Sequence, residues 1–92
     1  MIKKFRHKGL KRLFEAGIVA GVQPDQIAKI RKILALLATA DSAEDMALPG
    51  LNLHELKGSR KGTWAVKVSG NWRITFKIFN GDVYDVNYED YH

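Results

Sequence analysis

The chain has 92 residues, of which 46% are hydrophobic and 27% charged, a composition typical of one globular domain spanning residues 1–92. It contains no cysteine, which excludes disulfides, thiolate catalysis and zinc–sulfur sites, and no apolar run approaches the roughly 20 residues of a membrane span. The formal net charge of +5 favours a polyanion or an acidic protein as partner. With no visible signal peptide, we expect a cytoplasmic protein with no membrane contact.

The chain begins with a pattern for a short strand followed by a helix. Residues 2–6 are basic and alternate in polarity, which predicts an edge strand whose lysines discourage sheet-to-sheet pairing. Leu10, Leu13 and Phe14 then recur at helical spacing within residues 8–16. Gly17 follows directly and predicts the end of this helix.

A second helix is predicted from Pro24 to Thr39. Proline suits the first helical position, and Asp25 in the first turn complements the helix dipole. The apolar residues form one stripe: Ile27, Ile30, Ile33, Leu34 and Leu37. We interpret the helix as a lid over a sheet, with reception of a partner on part of its surface as an additional role.

Residues 40–50 have the weakest pattern and predict a loop with one helical turn starting at Asp41 or Ser42. Residues 51–56 predict a short strand, and residues 57–62 a basic, glycine-bounded loop.

The last thirty residues predict an antiparallel meander. Three runs with period-two polarity, residues 63–68, 72–78 and 83–88, are separated by short breaks that contain glycine. A two-residue turn at Asn80 and Gly81 would place polar residues opposite the apolar face, so we expect a three-residue turn with Gly81 in a left-handed bulge. The predicted cross-strand pairs are Val68–Trp72, Val66–Ile74, Trp64–Phe76, Ile78–Tyr84, Phe76–Val86 and Ile74–Tyr88.

The predicted register gives the sheet one apolar and one cationic face. The cationic face carries Lys67, Arg73, Thr75 and Lys77. The fold class is therefore α+β, an antiparallel sheet with two N-terminal helices packed on one face, in the order β-α-α-β-β-β-β.

The three histidines have different contexts. His7 lies among basic residues and is interpreted as a solvated surface residue. His54 lies in the short strand between apolar neighbours, where a satisfied structural histidine is the default interpretation. His92 is the final residue, for which fraying and no role is the default interpretation. It nevertheless belongs to a segment, 87–92, that combines two aromatics, two carboxylates and an imidazole. The terminal carboxylate of His92 itself favours the protonated form of its imidazole, which suits a general acid.

Basic side chains surround the predicted cationic face. Lys57 and Arg60 lie in the loop before the meander, and Lys67 is the predicted cross-strand neighbour of Arg73. Two opposed like charges are unfavourable, so an anion between them would relieve a cost. Surface solubility is the alternative role for such lysines. No metal-ligand or nucleotide-binding spacing is present, and we expect neither metal nor cofactor. The side chains fit metal-free cleavage of a phosphodiester by an internal nucleophile.

Several segments together resemble the HigB toxins, a branch of the RelE superfamily of ribosome-dependent mRNA interferases, also known as plasmid maintenance system killer proteins. The likeness covers the whole chain, and residues 41–51 resemble the family least. It rests chiefly on Leu53-His54-Glu55-Leu56-Lys57-Gly58, Asn71-Trp72-Arg73-Ile74-Thr75-Phe76 and Asn87-Tyr88-Glu89-Asp90-Tyr91-His92.

This resemblance implies a RelE-like microbial ribonuclease-type fold that binds mRNA in the ribosomal A site. The implied reaction is attack of a ribose 2′-hydroxyl on the adjacent phosphate, giving a 2′,3′-cyclic phosphate and a 5′-hydroxyl. The implied catalytic residues are His54, Arg73, Asp90, Tyr91 and His92. The RNA- and phosphate-binding positions are then Lys57, Arg60, Lys67 and Arg73.

The resemblance also implies a partner, a DNA-binding helix-turn-helix antitoxin of the HigA type. An acidic antitoxin surface would complement the basic chain. Two alternatives to a toxin enzyme stay open. One is a non-catalytic RNA-binding protein that uses the basic sheet face. The other is a protein that serves only as antitoxin partner or co-repressor.

Overall fold

Two helices form the N-terminal half of the protein. The computed structural model describes residues 1–91. Helix α1 spans Lys8–Ala16, and Gly17 ends it with a left-handed φ of 70°, as predicted. Helix α2 spans Ile27–Thr39 and follows a single 3₁₀ turn at Pro24–Gln26. Another 3₁₀ turn, Ala43–Met46, accounts for the helical turn predicted in the loop after α2.

His7 caps α1 and is not the solvated surface residue expected from the sequence. Its ring is half-buried, and Nδ1 accepts a hydrogen bond from the backbone N–H of Leu10 at 3.1 Å. Burial, and secondarily the charge of Arg12, hold the pKa of His7 below its ordinary value of 6.5. The neutral ring therefore satisfies one of the free N–H groups at the helix start.

The C-terminal half forms a four-stranded antiparallel sheet in sequential order. The strands are β1 (His54–Glu55), β2 (Trp64–Ser69), β3 (Trp72–Phe79) and β4 (Asp82–Asp90). The predicted N-terminal edge strand is reduced to two isolated parallel bridges beside β4, Ile2 with Val83 and Phe5 with Val86.

The β2–β3 register agrees with the prediction except near the turn. Trp64 pairs with Phe76 and Val66 with Ile74, as expected. Trp72, however, pairs with Ser69, so the predicted pair of Val68 with Trp72 is wrong. A bulge at Val68 takes up the extra residue and keeps Val68 buried.

The β3–β4 turn is the two-residue Asn80-Gly81 turn that the sequence reasoning rejected. Both residues have positive φ, 51° and 78°, which is the geometry of a tight hairpin. The extra residue instead lies in β4 at Asp85, which has a φ of 54°. Beyond this bulge Ile74 pairs with Tyr88, as predicted. Before it Ile78 pairs with Val83, so the predicted pair of Ile78 with Tyr84 is wrong, and Phe76 lies at the register shift itself.

The core lies between the helices and one face of the sheet. Its fully buried members come from α1, α2 and the three long strands, and include Leu10, Ile30, Ile33, Leu37, Val66, Ile74, Phe76, Val83 and Val86. The opposite face of the sheet, here called the uncovered face, carries no α-helix among residues 1–91 and has mainly polar side chains, although Ala65 and Thr75 at its centre are buried. Within residues 1–91, no helix is long and apolar enough to cross a membrane.

Candidate active site

The uncovered face of the sheet carries a cross-strand row of three charged residues. Lys67 on β2 pairs with Arg73 on β3, and Arg73 pairs with Glu89 on β4. Side chains directly opposite one another point to the same face. The predicted opposition of Lys67 and Arg73 is therefore confirmed, and an acidic neighbour on the far side completes the row.

Glu89 accepts side-chain hydrogen bonds from two residues on this face. Arg60 donates to its two carboxylate oxygens, from Nη1 at 2.9 Å and from Nη2 at 2.6 Å. Thr75 adds a third hydrogen bond, from Oγ1 at 2.7 Å. These bonds, that from Arg60 first, lower the pKa of Glu89, and the same pairing raises the pKa of Arg60.

Arg73 is held by backbone carbonyls. Its Nη1 atom donates to the carbonyl oxygens of Gly70 at 2.7 Å and Trp72 at 3.0 Å, both near the β2–β3 turn. The guanidinium carbon lies 5.7 Å from the centre of the Tyr91 ring. These contacts orient the guanidinium while leaving its positive charge in place.

Tyr91 lies beside Arg73 at the end of β4. Its N–H donates to the carbonyl of Asn71 at 2.8 Å, which fixes the chain after the last strand pair. The hydroxyl is buried and makes no hydrogen bond within residues 1–91. Burial, reinforced by the negative charge of Glu89, raises the pKa of Tyr91, so the phenol is neutral near pH 7.

His54 lies on the same uncovered face, at the edge of the sheet. It pairs with Ala65, which in turn pairs with Thr75, so a second cross-strand row runs parallel to the charged one. The side chain is exposed, and Nδ1 lies 2.9 Å from the carbonyl oxygen of Asn52. His54 is therefore satisfied by a hydrogen-bond contact, as the default interpretation expects, but its side chain is exposed and does not belong to the core.

Lys57 and Arg60 belong to the loop between β1 and β2. Lys57 is exposed and comes directly before the 3₁₀ turn Gly58–Arg60. The ion pair of Arg60 with Glu89 ties this turn to β4 across 29 residues of sequence. Lys57 comes two residues after the end of β1, the edge strand that carries His54.

Asp90 lies on the other face from Arg73. It pairs with Trp72 and lines a cleft of about 470 Å³ together with His7, Gln23 and Tyr88, on the helix side of the sheet. Alternation along β4 gives this result, since Glu89 and Asp90 must point in opposite directions. The structure thus gathers His54, Lys67, Arg73 and Tyr91 on one side and places Asp90 at the strand end on the other. His92 lies outside the described residues.

Glu89 is the residue of this face that sequence reasoning missed. The predicted pair of Ile74 with Tyr88 already places Glu89 opposite Arg73 one position along, and that signal could have identified it. Within residues 1–91, no group of three or more His, Asp or Glu side chains is arranged to hold a metal ion.

Comparison with known proteins identifies the fold. A family model described as the RelE-like toxin of type II toxin–antitoxin system HigB matches residues 3–92. Endoribonuclease HigB of Proteus vulgaris is 48% identical over 92 residues, which cover 100% of both chains. The α+β fold is thus that of a RelE-like toxin. Within that class, the chain belongs to the HigB-like toxin family of type II toxin–antitoxin systems.

Proposed function

We propose that this toxin is a ribosome-dependent endoribonuclease that cleaves mRNA in the ribosomal A site. The observation that carries the proposal is the placement of an exposed imidazole, His54, on the same sheet face as the guanidinium of Arg73. The name of the Proteus vulgaris relative, an endoribonuclease, supports the same activity.

The proposed reaction uses the RNA itself as nucleophile. A ribose 2′-hydroxyl attacks the adjacent phosphate, the bond to the 5′-oxygen breaks, and the products carry a 2′,3′-cyclic phosphate and a 5′-hydroxyl. One group must accept the 2′ proton and another must protonate the leaving oxygen. His54 and His92 share these roles, and we favour His92 as the acid.

The remaining side chains of the site stabilise or position the phosphate. Arg73 neutralises charge that develops on the phosphate oxygens, and its carbonyl contacts hold it in place before substrate binds. Lys67, directly opposite Arg73 on β2, and Lys57, in the loop after β1, add positive charge. Tyr91 stacks on a base or binds the phosphate, and Asp90 orients an imidazole at the strand end.

The proposal includes two partners and a compartment. The substrate is mRNA on the small ribosomal subunit, which places the toxin in the cytoplasm. The neutralising partner is a helix-turn-helix antitoxin of the HigA type, whose acidic surface would complement the net charge of +5.

Mapping mRNA ends on translating ribosomes tests the proposal. Wild type is expected to generate new ends within A-site codons, and these ends should disappear in His92→Gln and fall strongly in His54→Gln. Lys61→Ala, which removes an exposed charge from the same loop as Lys57, is the matched control and should cleave normally. A deoxyribose at the cut position should block cleavage by wild type.

The same experiment distinguishes the alternative of a non-catalytic RNA-binding protein, which the cationic sheet face also fits. Such a protein would bind ribosomes and produce no new ends, and His92→Gln would leave growth arrest unchanged. Full toxicity of His92→Gln would refute the catalytic assignment.

A further inference from the structure

The charged row on the uncovered face contains one acid, Glu89, directly opposite Arg73. Opposed side chains in an antiparallel pair have Cβ atoms about 5 Å apart, which is close enough for a carboxylate and a guanidinium to pair. An ion pair of Glu89 with Arg73 is therefore the arrangement expected from the register alone. Such a pair would neutralise the cation that the proposed reaction needs.

The structure shows a different arrangement for Glu89. Arg60 reaches across from the loop before β2 and occupies both carboxylate oxygens in a bidentate pair. Thr75 adds a hydrogen bond to the same oxygen that accepts from Nη2 of Arg60. Bidentate guanidinium–carboxylate pairs are among the stronger charge-assisted hydrogen bonds, so they define the direction of the carboxylate.

Arg73 is correspondingly left without this carboxylate. Its guanidinium donates to the carbonyls of Gly70 and Trp72, and the ion pairs within residues 1–91 do not include it. A carbonyl oxygen orients a guanidinium without cancelling its charge. Lys67 on the opposite side adds a second positive charge to the row.

We propose that Arg60 is a positioning residue that occupies the Glu89 carboxylate and thereby keeps the positive charge of Arg73 available to an RNA phosphate. The choice of RNA as the source of the phosphate rests on the proposed function. The expected change of the Glu89 partner from Arg60 to Arg73 does not depend on that function. When Arg60 is removed, Glu89 turns across the strand pair and binds Arg73. The competing role for Arg60 is direct contact with the RNA backbone.

Crystal structures of two variants test the exchange without any substrate. In Arg60→Ala, the Glu89 carboxylate is expected about 3 Å from the Arg73 guanidinium. In the double variant Arg60→Ala/Glu89→Gln, Arg73 is expected to retain its contacts with the carbonyls of Gly70 and Trp72. Arg60→Ala crystals in which Glu89 does not approach Arg73 would overturn the proposal.

Binding measurements test the consequence for RNA. The probe is a ribosome carrying mRNA with deoxyribose in the A-site codon, which removes the nucleophile and isolates affinity from chemistry. Arg60→Ala is expected to bind about tenfold more weakly than wild type, with the slope of log K against log salt lower by about 1. Arg60→Ala/Glu89→Gln should return to within about threefold of wild type, because no carboxylate remains to capture Arg73.

Two controls separate positioning from contact. Lys61→Ala removes a charge from the same loop without touching the Glu89 pair and should bind like wild type. In an Arg73→Ala background, adding Arg60→Ala should cause no further loss, whereas two direct contacts would add. If Arg60→Ala/Glu89→Gln binds the ribosome as weakly as Arg60→Ala alone, Arg60 belongs to the RNA interface and the positioning role is rejected. Failure of wild type to bind ribosomes would reject the proposed function instead, and the crystal structures would still decide the exchange.

Discussion

The Trp72 ring stacks on the Tyr88 ring, with 4.4 Å between the ring centres and 23° between the planes. The His7 and Tyr88 rings are nearly perpendicular, with 5.5 Å between their centres, and the tyrosine hydroxyl donates to the side-chain oxygen of Gln26, which is buried. One aromatic column therefore connects β3, β4, the start of α1 and the turn before α2. It anchors the end of β3 that carries Arg73 and the end of β4 that directly precedes Tyr91.

Removing the hydroxyl of Tyr88 should destabilise the protein while preserving the aromatic stack. Tyr88→Phe leaves the Gln26 side-chain oxygen buried without its donor, which is expected to cost about 1–2 kcal/mol of unfolding free energy. Urea denaturation of the variant beside wild type measures the loss. Tyr84→Phe, at a half-buried position on the same strand, is the control and should change stability by less than about 0.5 kcal/mol.

The His7 cap predicts a loss of stability in mildly acidic solution. Because the pKa of His7 is lowered in the folded state, the unfolded chain binds a proton more readily as pH falls below 6.5. Its contribution to stability is thus complete above pH 6.5 and declines as pH falls towards the folded pKa. His7→Asn keeps a capping acceptor and should show a flatter dependence of unfolding free energy on pH between about 7 and 5. An unchanged slope would contradict the assignment.

Protonation of Glu89 is expected to cause a second loss of folding stability at lower pH. Its folded pKa lies below the ordinary value of 4.5, so its contribution is present above pH 4.5 and is lost as pH falls through the folded pKa. Glu89→Gln should remove this part of acid denaturation and cost about 1 kcal/mol at neutral pH. The cost is modest because the partner side chain of Arg60 is 41% exposed and solvent screens the pair. Unfolding free energies of wild type and Glu89→Gln, measured from pH 6 to 2, test this prediction. An equal loss of stability in acid for both proteins would refute it.

Gly9 and Gly21 approach each other so closely that a side chain added at Gly21 should lower the stability of the protein. A Cβ added at Gly21 would lie 2.6 Å from the Cα of Gly9, where backbone meets backbone. Gly21→Ala is therefore expected to cost about 1–3 kcal/mol through overpacking. Gly17→Ala meets no atom within 4 Å and carries only the strain of a φ of 70°, about 1 kcal/mol. Thermal unfolding of both variants tests whether Gly21→Ala loses more stability than Gly17→Ala. A larger loss for Gly17→Ala would contradict the prediction.

The carbonyl contacts of Arg73 predict that charge alone is insufficient at this position. Arg73→Lys keeps the charge and cannot reproduce both carbonyl hydrogen bonds together with the contact with Tyr91. We expect cleavage of A-site mRNA to fall at least about tenfold in kcat, and further in Arg73→Ala. Lys77→Ala, at the far end of the same strand, should stay near wild-type activity. Full activity of Arg73→Lys would show that Arg73 supplies only charge.

Local patterns were sufficient for most of the elements. Helix α1 begins and ends where the apolar spacing and Gly17 predict, because both signals act within one or two turns. The meander and the pairs of Trp64 with Phe76 and Ile74 with Tyr88 follow from period-two polarity. The bulges at Val68 and Asp85 did not follow from it. Each bulge adds the one residue that is needed to join the preferred turn to the register in which residues several positions away are buried.

The sequence by itself determined the α+β order, the apolar and cationic faces of the sheet and the likeness to the HigB toxins, since periodicity and motifs are properties of neighbouring residues. Only the tertiary structure decided that His7 caps a helix and is half-buried. It alone brought Arg60 to Glu89 across 29 residues of sequence. Strand register and loop closure set these relationships, and both depend on the packing of the whole core rather than on any local pattern.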